Sequence, residues 1–255
     1  MISDLIRIHH AAYRTDLPFW IQYTQGWDPV LEVGCGHGRV TLPLLKAGRI
    51  VVGVDRDLAA LEYLKSTLGG ASDAVRQRAR LVNEDILSFV PGISFGAVII
   101  PCNTYSTFNP SGRLKLLKSA SSWLGSGGKL IFSLANPLQT TEIFNDLHDK
   151  RHVDSPEIEE TITHPETGHP VQISSRLRST ADTLLWDWIY DHLHPNGQVE
   201  REMVTVEHFL VSKQEILSEL QRENFEAVHC LGDYSGEPYS DSSPYLIVVC
   251  RHRSL

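Results

Sequence analysis

Short apolar runs alternate with amphipathic stretches along the first 135 residues. Residues 30–33, 50–54, 80–82, 95–100 and 129–134 are strand-sized and largely apolar, and turn residues bound several of them. Between them the apolar positions return every three or four residues. Residues 39–46, 58–68 and 111–124 are therefore predicted helices, the second capped by Asp57 with Leu58, Leu61, Leu64 and Leu68 in one stripe. A polar linker fills 69–79. Residues 5–25 predict two short helices broken at Pro18. Strand-and-helix alternation with apolar strands predicts a mostly parallel sheet covered on both faces. Beyond a helix at 140–150 the period becomes two. Strands are predicted at 158–164, 171–179, 184–192 and 199–209, separated by turns at 166–168, 181–183 and 195–197. A helix at 213–223 and strands at 227–231 and 245–250 then complete the first sheet.

This pattern predicts an α/β domain made of residues 1–149 and 210–255. An antiparallel β subdomain, 150–209, is inserted and read as a lid on the sheet's active edge. Composition adds exclusions. With 255 residues, 42% of them hydrophobic, the chain can bury a large core. The balance of 23 Lys plus Arg against 31 Asp plus Glu gives a formal charge of −8, which argues against a broad nucleic-acid surface. The four cysteines form no CxxC pair and fit reduced thiols. The N-terminus is no signal peptide, and no apolar run approaches membrane-spanning length. The expectation is a soluble cytoplasmic protein.

The sharpest chemical signal is VLEVGCGHGRVTLPLLKAG at 30–48. A strand ends, Gly34, Gly36 and Gly38 let the backbone turn and admit a ligand, and a helix begins with its free N–H groups at the same point. Glu32 lies inside the strand, and Asp55 ends the next one, where a carboxylate suits the two hydroxyls of a ribose. The spacing is G-x-G-x-G, whereas the dinucleotide fingerprint is G-x-G-x-x-G. Glu32 is a poor neighbour for a pyrophosphate and a good one for an ammonium or sulfonium. An amino-acid-bearing nucleoside, S-adenosylmethionine, therefore fits better than a dinucleotide. A tight turn without cofactor stays open as a third reading.

At these residues the chain resembles the class I S-adenosylmethionine-dependent methyltransferases. VLEVGCGHG is similar to their first motif, which implies that Glu32, Gly34 and Gly36 hold the methionine part. GVDRD at 53–57 resembles their ribose site, implying Asp55 there and Arg56 and Leu58 beside the adenine. NEDILSF at 83–89 implies an adenine contact at Asp85 and at the backbone N–H of Ile86. IIPCNTYSTF at 99–108 implies that Pro101 and Asn103 line the methionine side and that Tyr105 opens toward the acceptor. The implied fold is a seven-stranded Rossmann-like sheet, order 3-2-1-4-5-7-6 with strand 7 antiparallel, with the lid inserted after strand 5. The implied activity is methyl transfer to nitrogen or oxygen, releasing S-adenosylhomocysteine. The ending GDYSGEPYSDSSPYLIVVCR and the insert resemble small-molecule enzymes, including amino-sugar N,N-dimethyltransferases. Pro101-Cys102-Asn103-Thr104-Tyr105 departs from the Asn/Asp-Pro-Pro-Tyr of family members that methylate base amines or protein glutamine.

The expected acceptor is thus a small molecule. A tRNA or protein acceptor and a non-catalytic cofactor-binding protein are the alternatives. Methyl transfer needs alignment and exclusion of water, plus a base only where the acceptor arrives protonated; no metal is required. Tyr13 in the N-terminal helix, which in relatives folds over the cofactor, is a candidate contact to the methionine carboxylate of the cofactor or to the acceptor, and Tyr105, His152 and His192 are the other candidate catalytic groups. Period two puts Trp186, Trp188, Tyr190 and His192 on one face of the insert, which also makes a candidate homodimer contact. Asp191 with His192 and His194 is a candidate dyad, and Arg176 with Arg178 an ion-paired or anion-binding face. Arg39 is expected in a structural ion pair.

Overall fold

A computed structural model describes residues 2–150 and 155–253 of the chain. In chain order the elements are α1 (Ile2–Ala11), α2 (Leu17–Tyr23), β1 (Val30–Val33), α3 (Thr41–Lys46), β2 (Val51–Asp55), α4 (Leu58–Gly69), α5 (Asp73–Arg76), β3 (Ala79–Asn83) and β4 (Phe95–Ile100). A 3-10 turn (Thr104–Thr107) leads to α6 (Pro110–Trp123), β5 (Leu124–Ala135) and α7 (Pro137–Lys150). Then come β6 (Glu157–Thr163), β7 (Pro170–Ser179), β8 (Thr183–Leu193), β9 (Val199–Phe209), α8 (Lys213–Arg222), β10 (Phe225–Leu231) and β11 (Tyr245–His252). Among the described residues no helix is long and apolar enough to cross a membrane.

The larger compact unit, Arg14–Gln139 with Val211–Leu255, holds a seven-stranded sheet ordered β10-β11-β5-β4-β1-β2-β3. Reversed and renumbered within the sheet, this is the predicted 3-2-1-4-5-7-6. β1 to β5 are mutually parallel, and β11 is antiparallel to both β5 and β10. Both faces are buried, so alternate residues of one strand enter different cores. Leu31 and Val33 pack with α6 and α8 residues such as Leu116, Leu117, Ile216 and Leu220. Val30 packs on the other face with Trp20, Leu44, Leu61 and Leu64 of α2, α3 and α4. That double burial is why these strands read as near-continuous apolar runs, with Glu32 the exception inside β1.

Asp57 caps α4 as expected: its side chain accepts from the N–H groups of Ala59 and Ala60 at 2.9 and 3.1 Å. Asp57→Ala should cost about 1 kcal/mol of unfolding free energy, read by urea titration. Two details differ from the pattern reading. The linker at 69–79 contains the short α5. β5 starts at Leu124 rather than 129, because Leu124 already pairs with Phe95 before a register shift past the glycines.

The smaller unit, Met1–Tyr13 with Thr140–Leu210, carries the antiparallel sheet β6-β7-β8-β9. The sequence assigns residues 1–149 to the other domain. Contacts instead group α1 with the inserted sheet, because Leu5 is fully buried against Val171, Ile173 and Tyr190. The rings of Trp186 and Trp188 stack at 4.8 Å, and His9 meets Trp188 edge-on at 4.6 Å. The opposite face is charged. Fully buried Asp187 accepts from Arg176, Arg178 and Thr205 at 2.7–3.0 Å. The Arg178 guanidinium foremost holds this carboxyl well below the usual carboxylate range. Asp191 pairs with Arg201 at 2.7 Å, while His192 Nε2 lies 3.0 Å from Glu202. His194 Nε2 lies 3.5 Å from Glu200; the candidate dyad of Asp191 with His192 or His194 is therefore not formed, as odd and even residues of the strand point to opposite faces.

Candidate functional site

The carboxyl ends of the parallel strands share one edge of the larger sheet. The strand order reverses between β1 and β4, the place where open α/β sheets form a ligand crevice. Gly34, Gly36 and Gly38 turn there at φ +72°, +49° and +86°. A Cβ on Gly38 would meet Leu64 Cδ1 at 2.3 Å, so the turn needs glycine for space as well as for conformation.

Asp55 closes the turn from β2. Its Oδ2 accepts the Gly36 N–H at 2.7 Å and its Oδ1 the Asp57 N–H at 2.8 Å. A carboxylate has about four acceptor positions, so further donors can be received. Glu32 lies beneath, 2% exposed, and its Oε2 accepts from the Thr41 hydroxyl at 2.5 Å. Burial pushes this carboxyl up to about 8; Thr41 and the Arg39 guanidinium offset only part of that rise. Asn83, opposite Asp55 in the β2–β3 register, donates through Nδ2 to the Asp55 carbonyl at 3.1 Å. Two residues on, Asp85 Oδ1 accepts the Leu87 N–H at 2.9 Å, and the Ile86 side chain is buried in the core. Arg56 and Leu58 are exposed where α4 begins.

The segment after β4 supplies the far wall. Pro101 is buried, and Cys102 and Asn103 both take φ +60°. Thr104 then stands against the glycine turn, 3.2 Å from where a Gly34 Cβ would lie. The structure thus brings Glu32, Gly34, Gly36, Asp55 and the Asn103 backbone to one strand edge. It does not bring Tyr105 there. That side chain is fully buried, stacked on Phe132 at 4.3 Å, and its hydroxyl donates to Glu219 Oε2 at 2.8 Å. Burial first, and then the Glu219 carboxylate, push the phenol up, so it remains a donor. The expected opening of Tyr105 toward an acceptor is corrected accordingly: the left-handed pair before it turns the chain inward.

Tyr13 is 37% exposed, and His192 is half-buried beside Glu202; both belong to the smaller unit. His152 lies outside the described residues. Among those residues no three His, Cys, Asp or Glu side chains are grouped to hold a metal ion.

Sequence reasoning missed Asp16. It is fully buried, takes both Arg39 terminal nitrogens at 2.6 and 2.7 Å, and accepts the Trp20 indole N–H at 2.9 Å. Arg39 also reaches Cys102 Sγ at 2.6 Å. It ties α2, the glycine turn and the post-β4 segment together, the ion pair expected of it with a partner 23 residues away. Asn136 was missed too. Its amide donates to the carbonyls of Asp241 and Ser243 at 2.9 and 2.7 Å and accepts from Tyr239 at 2.6 Å, fixing the β10–β11 loop to the end of β5.

The family described as a methyltransferase domain matches residues 30–128. The ribosomal RNA small subunit methyltransferase A of Mycobacterium sp. (strain KMS) is 39% identical over 64 residues, 25% of this chain. The match spans only 22% of that protein's length. Solved structures are similar over nearly the whole chain. An S-adenosylmethionine-dependent methyltransferase from Clostridium acetobutylicum has TM-score 0.77 and 14% identity, covering 98% of each chain. An amino pentose methyltransferase from Micromonospora echinaspora, involved in calicheamicin biosynthesis and solved with S-adenosylmethionine bound, has TM-score 0.69 and 16% identity. That match covers 98% of this chain and 96% of the other. At such identities the shared property is the fold.

Proposed function

Because this chain has the class I S-adenosylmethionine-dependent methyltransferase fold, we propose that it is an enzyme transferring a methyl group from S-adenosylmethionine to nitrogen or oxygen of a small molecule, releasing S-adenosylhomocysteine. The observation that carries this reading is the Asp55 carboxylate. It is tied to the Gly36 N–H in a left-handed glycine turn and lies above the buried Glu32. A nucleoside carrying a cationic amino acid fits those acceptors. A pyrophosphate would meet two carboxylates.

When bound, S-adenosylmethionine would supply a methyl carbon already activated by its sulfonium. The chain's own residues bind and align. Gly34 and Gly36 let the backbone approach the methionine part, with Glu32 beneath for its charge. Asp55 receives the ribose hydroxyls. Asp85, the Ile86 N–H, Arg56 and Leu58 border the adenine, and Pro101 and Asn103 the methionine side. Tyr13 and His192 remain proposed acceptor-side groups, and the inserted sheet is the proposed acceptor-selecting element. Tyr105 is not among them, its hydroxyl being spent on Glu219. A reducing, cytoplasmic setting suits the four free cysteines.

Calorimetry with S-adenosylhomocysteine should show one-site binding, and a screen of amines, phenols, amino sugars and RNA should yield methyl incorporation into a small molecule. An inert titration of folded protein would reject the reading. RNA is the second reading, favoured by the local 39% identity to a ribosomal RNA enzyme and opposed by the −8 charge. Methyl incorporation into RNA alone would select it.

A further inference from the structure

The segment after β4 is held by a buried ion pair. Cys102 and Asn103 both stand at φ +60°, a conformation that residues with a Cβ adopt under strain and keep only where the surroundings over-determine it. Those surroundings converge on one carboxylate. Glu219 of α8 is 9% exposed and accepts the Tyr105 hydroxyl at 2.8 Å. Arg113 of α6, 2% exposed, donates through Nη2 to Glu219 Oε1 at 2.8 Å and through Nε to both oxygens at 3.2 and 3.1 Å. The other end of the guanidinium, Nη1, donates to the Phe108 carbonyl at 3.2 Å. Glu219 therefore fixes the segment at two points, Tyr105 directly and Phe108 through Arg113.

A buried ion pair is weak evidence for stability, since apolar residues of equal volume often serve as well. Apolar residues cannot, however, aim a hydrogen bond at a chosen phenol and a chosen carbonyl. Between those two anchors and the glycine turn stands Thr104, in contact range of Gly34.

We infer that Glu219 is a positioning residue: through Tyr105 and Arg113 it holds residues 101–108 against the glycine turn in the geometry that binds the cofactor. The inference rests on the proposed cofactor site.

Two substitutions separate positioning from bulk stability. Tyr105→Phe deletes one hydroxyl and leaves the Arg113–Glu219 pair. Glu219→Gln keeps the bridge, with its amide nitrogen donating to the phenol and its oxygen accepting from Arg113, but removes the charge. Three measurements are made: thermal melting, S-adenosylhomocysteine affinity by calorimetry, and amide hydrogen exchange at Thr104, Ser106 and Phe108. Those three N–H groups donate within the segment, to the carbonyls of Pro101, Asn103 and Tyr105.

Tyr105→Phe should speed exchange at those amides about tenfold, leave β1 and β2 unchanged, and weaken binding about tenfold, the scale of one lost buried hydrogen bond. Glu219→Gln should melt earlier yet bind within about threefold of wild type. If wild type binds and Tyr105→Phe binds equally well, or if the segment's exchange does not move, the inference fails and the cofactor reading stands. If folded wild-type protein does not bind, the cofactor reading fails and takes the inference with it.

Discussion

Asp55→Ala should weaken S-adenosylhomocysteine binding by about two orders of magnitude, in calorimetry on protein shown to be folded by circular dichroism. The side chain does two things. Its oxygens hold the Gly36 and Asp57 N–H groups at 2.7 and 2.8 Å, which fixes the glycine turn to the end of β2. The acceptor positions left over are those proposed for the ribose hydroxyls. Hydrogen bonds to a charged group contribute about 1.5–3 kcal/mol each, so losing a pair of them costs about 3 kcal/mol or more. A factor of ten in affinity is about 1.4 kcal/mol, which gives the hundredfold. Asp55→Asn should fall between, because one of its two positions becomes a donor facing a backbone N–H. Unchanged affinity in Asp55→Ala would reject the ribose assignment and leave the carboxylate a purely local turn-closing group.

The sheet was legible because its pattern is physical. Strands buried on both faces must be largely apolar, as residues 51–54 and 95–100 are and as 30–33 are apart from Glu32, and the half-buried inserted strands must alternate. The glycine turn was legible because left-handed backbone and the close Leu64 contact demand glycine at fixed spacing. Pairings across long stretches of chain were not. Asp16 stands before Leu17-Pro18 like an ordinary helix start, and nothing local announces Arg39 as its partner. Glu219 and Tyr105 are 114 residues apart, and Glu219 sits in a helix whose pattern reads as amphipathic surface. Tyr105 shows why position alone misleads: a residue just past a strand end lies near the crevice. Two left-handed residues before it nevertheless reverse the side chain into the core. The grouping of α1 with the insert depends on Leu5 meeting Val171 and Ile173, a contact no periodicity encodes.

Glu32→Gln should stabilise the ligand-free chain above pH 5 and, on the proposed reading, weaken the ligand-bound one. The wild-type carboxyl has an ordinary value of 4.5 and is pushed up to about 8 by burial, with Thr41 and Arg39 offsetting part of the rise. Below pH 4.5 folded and unfolded chains both carry the proton, and the contribution is fully present. Between 4.5 and 8 the folded chain keeps a proton that the unfolded chain has released, so stability falls as pH rises, by up to about 1.4 kcal/mol per pH unit. Above 8 the full cost of a buried charge is in place. Glutamine keeps an acceptor for the Thr41 hydroxyl and cannot ionise. Urea titrations at pH 5, 6, 7 and 8 should therefore show the variant gaining on wild type at each step; a difference constant with pH would reject the buried, protonated Glu32. Binding should run the other way. A cationic amino-acid end beside Glu32 favours the carboxylate, so wild type should release about one proton on binding S-adenosylhomocysteine near pH 7, read from calorimetry in buffers of different ionisation enthalpy. Glu32→Gln should release almost none and bind about tenfold more weakly. A side chain that only packs the strand would move stability and affinity together; opposite movements belong to a group whose charge costs the free chain and is used by the bound one.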